Sequence, residues 1–269
     1  MESLNHTFVI PAYKDSVYLE ECVRSLKNQV LPTNILIATA TPSSYIENIA
    51  FKYNIPYFVS SKSPSIGGDW NFAISCTSSR FVTIAHQDDI YDPYFTTKVL
   101  ASFEKAQSNQ PLLVFTDYAD VVNGATRTGS LNAWVKNALL LPYKIKSQIS
   151  SRFFRKASLA LGNSICCPSV TLDRINTGDF QFSEAFTCVL DWEAWMQLAN
   201  RKGTFIYINK KLVKHRIHID SETTHQIKLG KRYQEEVAVL GSVWGNAIAR
   251  IIANLYIKGH NDNTVLPKK

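Results

Sequence analysis

The chain has 269 residues, 45% of them hydrophobic and only 19% charged, with a net charge of +7. This composition excludes a disordered or fibrous chain, and five cysteines without C-x-x-C spacing exclude a disulfide framework or zinc ribbon and fit a reducing compartment. The excess charge is uneven, because residues 201–269 hold 13 Lys and Arg against 5 Asp and Glu, so that end is expected to meet something negative: a nucleotide diphosphate, an anionic membrane face or nucleic acid.

Residues 8–11 form a short apolar run read as the first strand. Asp15 or Ser16 then caps a helix with Leu19, Cys22, Val23 and Leu26 on one face. A second strand is predicted at 35–38, followed by a helix opened by Ser43 or Ser44 with Ile46, Ile49, Ala50 and Tyr53 inward. Residues 56–59 read as a third strand, 60–68 as a Ser/Gly-rich loop, and Asp69 as the start of a short helix. Strand 81–85, a helix after Asp92-Pro93 and strand 112–116 complete the first half. Strands alternating with helices predict an α/β fold with a mostly parallel, doubly wound sheet.

From 119 to 150 the rhythm breaks into a loop-like stretch, read as an inserted hairpin or flap. Helix 151–161, strand 169–172, helix 191–201 and strands 205–208 and 212–214 follow. With no internal repeat, residues 1–225 read as one domain, 1–118 its first half and 119–225 an elaborated second half, and 226–269 as a C-terminal helix and tail. In that tail Val237, Leu240, Trp244, Ala247, Ile251 and Leu255 recur at helical spacing and predict one amphipathic helix. It packs on its own domain, on a second copy in a homodimer, or on a membrane surface. Neither a signal peptide nor a membrane span is expected from the apolar runs.

Three segments carry chemistry. In His86-Gln87-Asp88-Asp89-Ile90-Tyr91-Asp92-Pro93 a strand runs into clustered carboxylates, which repel unless a cation sits between them; Mn²⁺ or Mg²⁺ bound by carboxylates and phosphate oxygens meets that need. The bland alternative is a helix start capped by Asp89 or Asp92. After a later strand, Arg216-Ile217-His218 places Arg216 and His218 on one face of extended chain, suited to a diphosphate and, through the imidazole, to a metal. Asp191, before Trp192, opens a helix as either an N-cap or a catalytic carboxylate.

In their order these features make the chain resemble the family 2 glycosyltransferases of the GT-A, nucleotide-diphospho-sugar transferase fold, of the bacterial surface-polysaccharide type. Residues 8–15, Phe-Val-Ile-Pro-Ala-Tyr-Lys-Asp, are similar to the family's opening strand and loop. Gly67-Gly-Asp-Trp-Asn71 stands where the family has G-x-A-R-N, and His86-Gln-Asp-Asp89 at its D-x-D-D position. Leu190-Asp191-Trp192 matches E-D-W, and Arg216-Ile-His218-Ile-Asp-Ser221 is similar to R-x-H-x-x-S. The chain departs from the pattern where the second strand normally ends in D-D-G-S but here reads Ala38-Thr39-Ala40-Thr41. His86 replaces the first acid and Trp70 the arginine.

The resemblance implies a Rossmann-like sheet flanked by helices and an inverting, metal-dependent hexosyltransferase-like enzyme. The donor is a nucleoside diphosphate sugar, a UDP-sugar first, and the acceptor a hydroxyl of a glycan or lipid-linked chain. Asp191 is implied as the base, Asp88 and His218 as ligands of Mn²⁺ or Mg²⁺, and Asp89 as a residue orienting the loop. Pro11, Ala12, Tyr13, Asp15, Thr39, Trp70, Asn71, His86, Gln87, Asp88, Arg216 and Ser221 are implied on the donor side. The setting implied is cytoplasmic, with peripheral contact at the inner membrane face. Nucleic acid is not an expected partner, because the C-terminal basic residues are scattered. The alternatives are a sugar nucleotidyltransferase, disfavoured by the lack of a Gly-rich basic loop after the first strand, or a non-catalytic nucleotide-sugar-binding protein of the same fold.

Overall fold

In the computed structural model, which describes residues 5–122, 124–127, 131–218 and 231–260, the chain is organised around one mixed sheet. Strand β1 (His6–Ala12) lies between β2 (Asn34–Thr39) and β4 (Phe81–Ile84), with β3 (Tyr57–Val59) outside β2, all parallel. Next to β4 comes β9 (Val170–Asp173), antiparallel to it and to β6 (Pro111–Val122). Then β10 (Thr204–Ile217) runs parallel to β6, and β5 (Ile90–Tyr91) and β8 (Gln148–Ile149) pair antiparallel with β10. A short β7 (Ala125–Thr126) folds back on β6. The sheet is buried on both sides, which is why β1 is a continuous apolar run: Val9 faces one core, Phe8 and Ile10 the other.

Helix α1 (Leu19–Lys27) buries Leu19, Cys22, Val23 and Leu26, the predicted stripe, and α2 (Ser44–Lys52) is capped by Ser43, whose Oγ accepts from the Ile46 amide at 3.3 Å. Neither Asp15 nor Ser16 caps α1. Its N-cap is Tyr18, and Asp15 Oδ1 instead accepts from Ser43 Oγ at 2.5 Å. Helix α3 (Ile66–Ser75) begins before Asp69 because Ser65 caps it through the Gly68 amide. Its Gly67 is required by close approach, since a Cβ there would stand 2.5 Å from the Ser183 carbonyl oxygen. Ahead of α4 (Phe95–Lys105), Asp92 Oδ1 accepts from the Tyr94 amide at 2.9 Å, so Asp92 shapes that turn and Asp89 is left for another task.

The 119–150 segment is more regular than a loop: β6 continues to Val122, and α5 (Leu131–Leu139) and α6 (Leu141–Ile145) precede β8. The strands predicted at 205–208 and 212–214 are one, β10. Irregularities between Ile208 and Lys211 and between Lys211 and Val213 let Asn209, Lys210 and Lys211 stay exposed while pairing with β6 resumes. The other helices are α7 (Arg152–Leu159), α8 (Arg174–Thr177), α9 (Leu190–Asn200), α10 (Lys231–Trp244) and α11 (Asn246–His260).

The predicted single C-terminal helix is therefore two, broken at Gly245, whose φ of +74° is the left-handed conformation that glycine adopts most cheaply. The break splits the apolar stripe. Leu240, with Val239, Ala249 and Ala253, joins the core that also holds Trp192 and Trp195 of α9. Trp244, Ile248, Ile251 and Leu255 remain 41%, 47%, 63% and 64% exposed. Among the described residues no helix is long and apolar enough to cross a membrane.

Candidate functional site

The ladder between β1 and β4 ends where the Ala85 amide donates to the Val9 carbonyl, and His86 to Asp89 then make a tight turn. One potential ligand atom from each of His86, Asp88 and Asp89 lies within 4.8 Å of the others. Asp89 is fully buried and accepts from the Arg216 amide at 2.9 Å, with His215 Nδ1 at 3.1 Å. It thus staples the end of β10 to this turn. Asp88 stays partly open, its Oδ2 2.9 Å from His218 Nε2. Arg216 donates to Glu21 Oε2 at 2.7 Å and stacks 4.0 Å above Tyr18, whose ring is also 5.0 Å from that of His218. Arg216 and His218 thus meet the same aromatic ring.

The electrostatics follow from this packing. Burial works against the charged form of Asp88, but the His218 hydrogen bond and the nearby His86 and His215 outweigh it and hold its pKa below the usual value. Burial also opposes a charged His215, yet Asp89, with Asp120 and Asp88 behind it, raises that imidazole to about 9. At neutral pH the turn therefore carries paired rather than isolated charges.

On the donor side, Gln87 reads both polar groups of the Tyr13 backbone: its Oε1 accepts from the Tyr13 amide and its Nε2 donates to the Tyr13 carbonyl, each at 3.0 Å. Pro11 and Ala12 complete β1 opposite Ala38 and Thr39. Thr39 is buried, and its hydroxyl accepts from the Thr41 amide, while Thr41 Oγ1 accepts from the amide of Lys14, a residue in the left-handed region at φ +54°. Two further candidates expected on the donor side, Trp70 and Asn71, make contacts within the protein. Trp70 is 8% exposed, packed between His86 and Phe182 with ring centroids at 5.2 and 5.0 Å. The Asn71 amide is spent on the backbone of Phe182, at 2.8 Å in each direction. Both thus pack against Phe182. Ser221 lies outside the described residues.

Asp191 sits in the first turn of α9 but is not its N-cap, a position taken by Val189. Its Oδ1 accepts from the Trp192 amide and its Oδ2 from Asn163 Nδ2, both at 2.8 Å. Burial raises its pKa, with the Trp192 amide, Arg232 and His86 opposing. His86 is thus within electrostatic reach of Asp88 and of Asp191, although the segments lie far apart in sequence.

Several neighbours carry no sequence signal of their own. Asn163 orients Asp191, and Lys136 of α5 donates to the Tyr118 hydroxyl, whose ring lies 6.2 Å from His215. Asp120 stands opposite His215 in the β6–β10 register. The only usable hint was the strand alternation at 214–218, which turns His215 away from Arg216.

Residues 7–172, more than half of the chain, match the model of Glycosyl transferase family 2. The chain belongs to this family. The matched part contains the His86–Asp89 turn and stops short of Asp191 and β10. No curated protein matches this family 2 chain, but solved structures do. Residues 1–349 of TarS from S. aureus are 15% identical with a TM-score of 0.62, over 96% of this chain and 72% of that one. The mannosyltransferase PcManGT from Pyrobaculum calidifontis, in complex with GDP-Man and Mn²⁺, gives 10% identity and a TM-score of 0.63 over 98% and 77%. Glucosyl-3-phosphoglycerate synthase from Mycobacterium tuberculosis, in complex with Mn²⁺ and UDP-glucose, gives 15% and 0.59 over 88% and 78%. The fold is the GT-A fold of these glycosyltransferases, with a mostly parallel sheet and flanking helices. Within it His86, Asp88 and Asp89 form a group whose ligand atoms lie close enough together to hold a metal ion.

Proposed function

We propose that the chain is an inverting glycosyltransferase, moving a sugar from a nucleoside diphosphate sugar to a hydroxyl of a glycan or lipid-linked acceptor in bacterial surface polysaccharide synthesis. The observation that carries this is the contact of Asp88 with His218 beside the His86–Asp89 turn, with buried Asp191 of α9 within electrostatic reach of His86. Asp191, held by Asn163 and the Trp192 amide and made more basic by burial, takes the proton of the acceptor hydroxyl. The acceptor oxygen bonds to the anomeric carbon as the bond to the diphosphate breaks. One carboxylate suffices for inversion, since no covalent intermediate forms.

The donor atoms fit a hard divalent ion such as Mn²⁺ or Mg²⁺. Asp89 is committed to β10, which leaves Asp88, with the imidazoles of His86 and His218, to hold it. Such a cation supplies positive charge to the leaving diphosphate. Arg216 and the charged His215 add to the positive field beside the turn. A UDP-sugar is the first donor to try, since TarS is solved with UDP-GlcNAc and the mycobacterial synthase with UDP-glucose.

The same reading places the protein in the cytoplasm and against an anionic membrane, where a lipid-linked acceptor resides. Its support is the exposed ridge of Trp244, Ile248, Ile251 and Leu255, with exposed Arg250 beside it, at the basic end of the chain. A panel of UDP-glucose, UDP-N-acetylglucosamine and GDP-mannose, scored by thermal shift and by donor turnover with Mn²⁺ and with chelator, tests the function. Metal-dependent turnover of one donor is expected. Tight binding of a donor with no turnover under any condition would instead favour a binding protein.

A further inference from the structure

The helix that carries Asp191 has no cap of its own: Val189, at the N-cap position, offers no side-chain acceptor. The turn that leads into it is instead closed from 46–48 positions away. Glu235 of α10 is 7% exposed, and its Oε1 accepts from the amide and hydroxyl of Thr187 at 3.0 and 2.8 Å. Its Oε2 accepts from the amides of Cys188 at 2.7 Å and Val189 at 3.2 Å. Three successive amides at a helix N-terminus thus converge on one carboxylate, the arrangement that both the helix dipole and charge-assisted hydrogen bonding favour. A free surface loop would leave those donors to water.

Other residues of α10 bear on the surroundings of Asp191. Arg232, one turn before Glu235, lies within electrostatic reach of Asp191 and is paired with Glu236 at 2.8 Å. At the far end of the helix, Trp244 Nε1 donates to the carbonyl of Ala160 at 2.7 Å, just ahead of Asn163, which holds Asp191 Oδ2. The Glu235 carboxylate therefore fixes where α9 begins, and Trp244 ties down the segment that supplies the second support of Asp191. Both contacts come from the C-terminal helix, outside the part of the chain matched by the family model.

We infer that Glu235 is a positioning residue for Asp191: by closing the amides of Thr187, Cys188 and Val189 it sets the first turn of α9, so docking of α10 completes the acceptor side of the site. The inference rests on Asp191 being the base, and it assigns the Lys231–Trp244 helix a part in turnover as well as in stability. An error of about 1 Å in a catalytic group can lower the rate about 100-fold. A shifted first turn displaces Asp191 on that scale without touching the donor turn.

The test compares Glu235→Gln, Glu235→Ala, Asp191→Asn and Val239→Ala, the last trimming a buried residue of the same helix that makes none of these hydrogen bonds. Turnover is measured with Mn²⁺ and whichever of UDP-glucose, UDP-N-acetylglucosamine and GDP-mannose the wild type uses fastest, alongside melting temperature and amide exchange at 187–189. Glu235→Gln, which keeps one acceptor oxygen, should lower kcat about tenfold and Glu235→Ala about 100-fold, with the donor KM within about twofold. Exchange at 187–189 should rise in both. Val239→Ala should lose as much melting temperature and keep kcat. Glu235 variants whose kcat follows Val239→Ala at equal stability would overturn the positioning role while leaving the base intact. Asp191→Asn with undiminished turnover, or a wild type that turns over no donor, would overturn the reading on which the inference rests, and the inference with it.

Discussion

His218 Nε2 lies 2.9 Å from Asp88 Oδ2 although 130 positions separate the two residues, so the end of β10 closes directly over the turn that follows β4. On the proposed function, a donor diphosphate bound at Asp88 would meet an imidazole already in place.

That contact predicts a shared role in metal-dependent binding. Asp88→Ala and His218→Ala should each weaken UDP binding in Mn²⁺ by at least about tenfold, the scale seen when a metal site loses a supporting group, and leave binding in chelator unchanged. Calorimetry of UDP against each variant, with Mn²⁺ and with chelator, reads this directly. Equal binding in both media by the wild type would remove the metal from the scheme.

Asp191→Asn should separate catalysis from stability. An Asn at 191 keeps an oxygen for the Trp192 amide, and the helix never relied on Asp191 as its cap, so the melting temperature should stay near wild type. Turnover should fall about 100- to 10,000-fold. In the wild type the acid limb of the kcat profile should lie above the ordinary carboxylate range, because burial raises the pKa of Asp191 and protonation removes the base. A limb at the usual carboxylate value would count against it.

His6 gives a pH dependence of stability far from the site. It is buried with Thr33 and Thr83 hydroxyls on its two ring nitrogens at 2.6 and 2.9 Å, and burial lowers its pKa from 6.5 to about 3. Between those values the unfolded chain binds the proton and the folded one does not. Its contribution is therefore complete above pH 6.5 and is lost as pH falls toward 3, at up to about 1.4 kcal/mol per pH unit. Urea midpoints at pH 7.5 and 5.5 should diverge less in His6→Asn than in the wild type; an unchanged gap would show that other groups set the slope.

The ridge running from the end of α10 along α11 predicts reversible membrane association. The full chain should co-sediment with vesicles of phosphatidylglycerol and phosphatidylcholine at low salt, less so as ionic strength rises, because exposed charge is screened within about 10 Å at 0.1 M. Ile248→Asp combined with Ile251→Asp should abolish it. A dimer that ignores vesicles, or equal partitioning of both proteins, would assign the ridge to a second copy or to neither.

The first half of the fold was legible because its signals are local. Leu19, Cys22, Val23 and Leu26 repeat at the period of a single helix, and Ser43 caps from within three residues of its target. The end of α10 was not, because the apolar spacing from Val237 to Leu255 continues in phase across Gly245, where only the backbone turns. The single strand β10 was hidden by exposed Lys210 and Lys211, whose pairing with β6 resumes past an irregularity. In the site, His86, Asp88, Asp191 and Arg216 are of residue types whose chemistry stands out at a strand end or helix start. Glu235, Asn163 and Asp120 are ordinary until folding gives them partners 46–48, 28 and 95 positions away.

Two neutral carboxamides, Gln87 on the backbone of Tyr13 and Asn71 on that of Phe182, bond in both directions just as a neighbouring strand would. Each prolongs the sheet by one rung made of a side chain. An amide neither gains nor loses a proton in the range where histidines and carboxylates do. These two rungs of the pocket's scaffold therefore hold their spacing through the titration of its contents, whereas the ionisable staple of Asp89 and His215 does not share that indifference to pH.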